Sequence, residues 1–318
     1  MRNAVLAADI GGTKTYVALA EPQDEGVRML HVERYANDEY GDFDAILRRF
    51  VAEHAAGREI RYAAFGVAGP REGERVRLTN RPWLIDAAVC SAILDGAPVR
   101  LMNDFEATAY GVEVLGEPDV LTLQRGEFRP RAPQVVLGAG TGLGVAYRLW
   151  EGGCYRVVPS EGGHAGFAPA DLRQLELWRY LHERLGRVEA EHVVSGAGIA
   201  RIYAFLGGSP DIPPAEVSAL ALEHEDSVAL EALEIFASCF GAVAGDHALA
   251  VLAYGGVFLA GGIAPKVLKP RQASRLLTAF NSKGSFSGIV ERIPIHVVLN
   301  EQVALLGAAL AAVRDVAT

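Results

Sequence analysis

A strand, a glycine turn carrying a threonine, and a second strand occur twice in this chain. Ala4 to Ile10 is a continuous apolar run with Asp9 near its end. Gly11-Gly12-Thr13 follows, and Lys14 to Ala20, rich in β-branched and aromatic residues, reads as another strand. Far downstream, Gln134 to Leu137 runs into Gly138-Ala139-Gly140-Thr141-Gly142-Leu143-Gly144, and Val145 to Leu149 resumes as a strand. Each unit is a hairpin. Dinucleotide fingerprints and Walker loops both need a helix after their glycines, so neither fits. A device used twice reads as an internal repeat of two α/β domains. Bare amides and a hydroxyl in such a turn can hold a phosphate, and the glycines let backbone approach a ligand. The competing readings are an ordinary hairpin turn at Gly11 and a bulge or corner at Gly140.

The rest of the first half reads as one α/β domain. A strand near Met29 to Arg34 is followed by an amphipathic helix, Phe43 to Glu53, with Phe43, Ile46, Leu47 and Phe50 at helical spacing. A strand from Tyr62 to Val67 ends in Ala68-Gly69-Pro70; a helix near Asp86 to Leu94 leads to a strand from Val99 to Met102. There Asn103-Asp104 opens a helical stretch. An acid at a strand-to-helix junction is a good N-cap, because its oxygen accepts first-turn amides. It is also where α/β sheets place catalytic groups, so Asp104 has two readings at this point.

In the second half, Ser160 to Pro169 is a glycine-rich loop carrying Glu161 and His164, which loop geometry can aim at a ligand. His164 could equally be a satisfied structural histidine. Helices are expected at Leu172 to Leu185, Gly198 to Phe205, Ala215 to Leu222 and Val228 to Leu252. A short strand, Val257 to Leu259, ends in Ala260-Gly261-Gly262, suited to bare backbone against a flat ring such as adenine. Ile295 to Leu299 is a strand, and Gln302 to Val313 a helix able to pack back onto the first domain.

A net charge of −9 with no dense Lys/Arg block argues against nucleic acid as a partner. Cys90, Cys154 and Cys239 are far apart, which fits a reducing compartment better than a zinc or disulfide framework. Met1-Arg2-Asn3 leads to an apolar run broken by Asp9, too short for a signal peptide, and the apolar region near Phe236 to Phe258, interrupted by Asp246 and His247, reads as a buried core helix followed by a strand. A cytoplasmic protein without membrane attachment is expected.

Five motifs in order, Asp9-Ile10-Gly11-Gly12-Thr13, Asn103-Asp104-Phe105, Gly138 to Gly144, Glu161-Gly162-Gly163-His164 and Ala260-Gly261-Gly262-Ile263, resemble the bacterial ATP-dependent glucokinase family of the actin/hexokinase/Hsp70 superfamily. The resemblance spans nearly the whole chain. It implies a two-domain actin-like ATPase (ribonuclease H-like) α/β fold with a ligand cleft between the domains, here residues 1–105 with 300–318, and 106–299. It implies that Asp104 is the base for the sugar 6-hydroxyl, and that Asn103, Glu161, His164 and Glu191 hold sugar hydroxyls. Gly11, Gly12, Thr13 and the Gly140-Thr141-Gly142 turn would cradle the phosphates of ATP. Asp9 would face Mg²⁺ through water, and Gly261 and Gly262 would lie near the nucleoside. Glucose and ATP are the implied partners and a homodimer the implied assembly.

Two positions depart from the family pattern. Lys14 stands where Asn usually follows Gly-Gly-Thr, and is more typical of the related group of repressors, open-reading-frame proteins and sugar kinases; Gly166 stands where Asp is common. That group's cysteine-rich zinc motif is absent. The alternatives are a kinase for another hexose, or a non-catalytic sugar sensor on the same fold. The first strand begins by Ala4, which leaves no room ahead of it for a sensor's helix-turn-helix.

Overall fold

In a computed structural model, described here over residues 2–23, 26–69 and 71–317, the chain forms two compact units, Met1–Gly116 with Asn300–Thr318, and Glu117–Leu299. Met1 and Pro70, on which two of the sequence readings fall, lie outside the described residues.

The first unit contains β1 (Arg2–Ile10), β2 (Lys14–Gln23), β3 (Gly26–Ala36), α1 (Phe43–His54), β4 (Arg58–Val67), a small ribbon of β5 (Arg71–Glu72), β6 (Arg75–Arg77) and β7 (Leu84–Asp86), α2 (Ala87–Ile93), β8 (Val99–Asn103) and α3 (Asp104–Gly111). Its main sheet has the order β3-β2-β1-β4-β8. β1–β2 and β2–β3 are antiparallel; β1–β4 and β4–β8 are parallel. Period-two alternation in β1 puts Ala4, Leu6, Ala8 and Ile10 into one core with Phe43, Ile46, Leu47 and Phe50 of α1. Each of those four α1 side chains contributes about 1.5–3 kcal/mol by its burial. The Asp42 carboxylate accepts the Ala45 amide at 2.8 Å and sets where α1 starts.

The second unit contains β9 (Val120–Gln124), β10 (Gln134–Ala139), β11 (Leu143–Glu151), β12 (Cys154–Ser160), α4 (Leu172–Leu185), α5 (Gly196–Phe205), α6 (Pro214–Glu223), α7 (Ser227–Val251), β13 (Val257–Ala260), α8 (Ala264–Val267), α9 (Pro270–Asn281), α10 (Ser287–Val290) and β14 (Ile295–Val298). Its sheet runs β12-β11-β10-β13-β14-β9. The first five strands repeat the order and the parallel or antiparallel sense of the first sheet, so the repeat read from two hairpins extends through five strands. α7 is apolar and long enough to cross a membrane, but most of it is buried in this unit's core.

The last helix, α11 (Val303–Ala317), packs on β1, β4 and α3 within the first unit. α3 therefore lies with the first unit, beyond the expected boundary at residue 105. The sequence reading missed the ribbon β5 to β7, the strands β9 and β12, and the helices α8, α9 and α10. β9 and β12 are the two edges of their sheet. Edge strands carry mixed patterns, and β12 tolerates Pro159 because an edge position can lose one amide.

Candidate active site

The first unit gathers its polar motif residues at the carboxyl ends of parallel strands. Asp9 pairs with Gly66 of β4, and Val67 with Asn103 of β8, so the ends of β1 and β8 share one edge. A Cβ on Gly66 would lie 2.9 Å from that of Ala107 and 3.5 Å from the Asp104 Cα, so glycine there lets α3 settle against the sheet. The N-cap of α3 is Asn103, whose Oδ1 accepts the Phe105 amide at 2.8 Å. The capping reading of Asp104 is thereby corrected by one residue. Asp104 is the first helical residue, and its Oδ1 accepts the same amide at 2.9 Å.

Both acids are electrostatically disturbed. Burial, then the nearby charge of Asp104, push the Asp9 carboxyl up to about 7, with Lys14 pulling the other way. Burial also raises Asp104, partly offset by the amides of Phe105 and of Asp104 itself. Hard carboxylate oxygens with too little positive charge nearby are the donor set that suits Mg²⁺.

The Gly11-Gly12-Thr13 turn is held from behind. The Gly11 amide donates to the Lys14 carbonyl at 3.1 Å. Buried Asn37 donates its side-chain amide to the Gly11 carbonyl at 2.9 Å, and its backbone amide to Thr13 at 3.0 Å. Arg81 donates to the carbonyls of Gly12 and Asn37 and pairs with Asp38. Neither Asn37 nor Arg81 was singled out by the sequence reading; single polar residues far from the turn carry no local signal. Lys14 Nζ lies 3.5 Å from the Tyr16 hydroxyl and 3.8 Å from Glu301 Oε2.

In the second unit the Gly140-Thr141-Gly142 turn joins β10 to β11. The Gly140 amide donates to the Gly142 carbonyl at 2.9 Å, and Gly196, opening α5, donates to Gly140 at 2.8 Å. The motif glycines differ in what they face. Gly140 and Gly262 have open space where a Cβ would stand. A Cβ on Gly142 would strike the Glu191 carboxylate, whose Oε2 accepts the Leu143 amide at 2.8 Å. Gly261 has φ +84 and lies against the Ala139 backbone, so glycine is required there by conformation and by space.

Glu161 and His164 sit on one 3-10 turn, Gly162–His164, after β12. Gly163 lies so close to the Leu143 carbonyl that no side chain fits, which seats the loop on β11. His164 Nδ1 is 2.8 Å from Glu189 Oε2, and its Nε2 is 3.9 Å from Glu161 Oε2. Arg187 donates to Glu189 Oε1 at 3.1 Å and to the His164 carbonyl at 3.0 Å. Sequence reading missed Glu189. It stands two residues before Glu191 in a polar run, and only the fold brings it to the His164 ring.

With a carboxylate at Nδ1, that nitrogen carries the proton and Nε2 is left for a ligand. The Glu189 hydrogen bond raises the His164 pKa, and His164 in turn lowers that of Glu189. The pair's stabilisation is therefore present between those two values, lost below the lowered carboxylate and lost above the raised imidazole. Glu189→Gln is expected to move the His164 titration downward, read by NMR of the imidazole protons; an unmoved midpoint would show that Glu189 does not hold the ring.

A glucokinase family model matches residues 6–315. The glucokinase of Nostoc sp. is 37% identical over 338 aligned residues, covering 98% of this chain and 99% of that one. That of Nostoc punctiforme is 38% identical over 339, with the same coverage. Among solved structures, a glucokinase from an Antarctic psychrotroph matches with TM-score 0.89 at 28% identity, over 98% of this chain and 99% of that one. The doubled sheet order is that of the two-domain actin-like ATPase fold. With motifs, fold and full-length relatives in agreement, this chain belongs to the glucokinase family.

Proposed function

We propose that the protein transfers the γ-phosphoryl group of ATP to the 6-hydroxyl of D-glucose, giving glucose 6-phosphate and ADP. The observation that carries this reading is Asp104: a buried carboxylate with a raised pKa, at the first turn of the helix that follows a parallel strand. Phosphoryl transfer asks a protein mainly for positioning and charge neutralisation. In this reading Asp104 orients the 6-hydroxyl and accepts its proton as the new phosphorus–oxygen bond forms. Asn103, Glu161, His164 and Glu191 hold sugar hydroxyls; two acids, an imidazole and an amide suit a ring of groups that both donate and accept. Gly11, Gly12, Thr13, Gly140, Thr141 and Gly142 cradle the phosphates, and Gly261 and Gly262 lie near the nucleoside. Asp9 would face Mg²⁺ through water, and that ion would supply neutralisation of phosphate charge when bound. A cytoplasmic homodimer belongs to the same reading, and sedimentation velocity tests the assembly.

The test is ADP release measured in parallel with glucose, mannose, fructose and N-acetylglucosamine. Glucose is expected to have the highest kcat/KM. A clear preference for another sugar would move the assignment to that hexose, and sugar-independent ADP release would overturn it.

The glycine geometry sorts two substitutions. Gly140→Val fills open space and is expected to raise the KM for ATP with little change for glucose. Gly142→Val displaces the Glu191 carboxylate and is expected to raise the KM for glucose as well. Identical profiles for the two variants would contradict the distinct roles drawn from their surroundings. His164→Ala removes one hydrogen bond to a sugar hydroxyl, worth roughly 1–3 kcal/mol or about 5–150-fold in glucose KM. A lower melting temperature with an unchanged glucose KM would assign His164 to structure alone.

A further inference from the structure

The first unit carries a second cluster of metal-ligating groups that the phosphoryl-transfer reading does not use. We propose that His31, Glu33 and His54 form a binding site for a divalent transition-metal ion of the zinc class, on the edge strand β3. Alternation along β3 places His31, Glu33 and Tyr35 on one side of the strand, and His54 closes the last turn of α1 above them.

Glu33 Oε2 lies 2.6 Å from His54 Nε2 and 3.9 Å from His31 Nε2, and one ligand atom from each of the three residues falls within 4.8 Å of the others. Zinc–nitrogen and zinc–oxygen bonds of about 2.0–2.2 Å put tetrahedral ligand atoms roughly 3.3 Å apart. The observed separations bracket that spacing, so small side-chain rotations complete it.

The surroundings suit an ion. The Nε2 atoms of both imidazoles face one carboxylate; the rings stack with centroids 3.8 Å apart and part by roughly 1 Å to meet one tetrahedral ion. Fully buried Phe50 lies 5.0 Å from the His54 ring and 5.9 Å from the His31 ring, an apolar floor that keeps water off one side. The Tyr35 hydroxyl donates to Glu33 Oε2 at 2.9 Å, holding the carboxylate as outer-shell donors hold metal ligands. Glu53 Oε2, 3.7 Å from His54 Nε2, or a water is available for the fourth position. A Tyr35–Glu33–His54 hydrogen-bond chain alone accounts for one imidazole. It leaves unexplained why a second stacks on the first with its Nε2 facing the same acid. Imidazole and carboxylate together suit zinc, cobalt and nickel more than magnesium or calcium.

The full-length protein, stripped with EDTA and desalted, is titrated with Zn²⁺ by calorimetry and with Co²⁺ by visible absorption, in excess Mg²⁺ to occupy all-oxygen sites. One Zn²⁺ per chain and Co²⁺ d–d bands of tetrahedral intensity are expected. His31→Gln and His54→Gln are each expected to weaken binding at least about tenfold, and Tyr35→Phe about tenfold. Should either histidine variant melt early, Glu33→Gln, which keeps an acceptor for Tyr35, carries the test. Unchanged affinity in a folded ligand variant, or no Co²⁺ d–d bands in the wild type, would overturn the site.

Discussion

Asp104→Asn is expected to lower kcat about 10²–10⁴-fold, the usual cost of losing a general base. Affinity for glucose should shift only modestly, because an amide oxygen still accepts from the 6-hydroxyl. Folding should survive the change. The cap of α3 is Asn103, whose Oδ1 keeps the Phe105 amide satisfied when the residue 104 amide turns its oxygen to the sugar. The pH dependence has a definite sign. Asp9 is raised in the folded state, so its contribution to stability is full below its unfolded pKa and is lost as pH rises toward about 7. Removing the Asp104 charge lowers the Asp9 pKa and lessens that loss, so the Asn variant should be at least as stable as wild type at pH 8. Measuring kcat, glucose Kd and melting temperature against pH separates the roles. Wild-type turnover in Asp104→Asn would sink the assignment of the base.

Gly307→Leu is expected to destabilise the first unit by about 3 kcal/mol, the upper end of the usual cost of overpacking a core. Gly307 of α11 and Gly111 of α3 let the two helices cross with backbone nearly in contact. A Cβ on Gly307 would strike the Ala107 carbonyl, and one on Gly111 the Val303 carbonyl. The requirement is spatial, because neither glycine has a positive φ. A leucine pushes α11 off α3, β1 and β4 and strips cover from the buried row Leu305, Ala308, Ala309 and Ala312. At about 2–4 °C per kcal/mol for a protein of this size class, the thermal midpoint should fall roughly 6–12 °C. Because α3 carries Asp104, kcat should fall in the fraction that stays folded. An unchanged midpoint would mean that the crossing tolerates a side chain.

What could be read in advance followed local physics. Strand ends running into glycine turns are visible because alternation, β-branched residues and glycine act over a few neighbours, and five such motifs in order carried the family. α1 was legible from the spacing of Phe43, Ile46, Leu47 and Phe50, all of which are buried. β9 was not, because it owes its pairing to β14, distant in sequence; β12 was missed although Gly152-Gly153 joins it directly to β11.

The sequence by itself determined the doubled hairpin, the family and the chemical types at the candidate site, because each is written in short contiguous runs. Only the tertiary structure decided which residue caps α3, since Asn103 and Asp104 are both capable and backbone geometry chooses between them. It also decided that Glu191 leans on Gly142 and that Glu189 holds His164. It was tertiary structure, again, that brought His54 to His31 and Glu33. Such pairings join residues from separate elements, and their energies depend on distances of a few ångströms that no local pattern encodes.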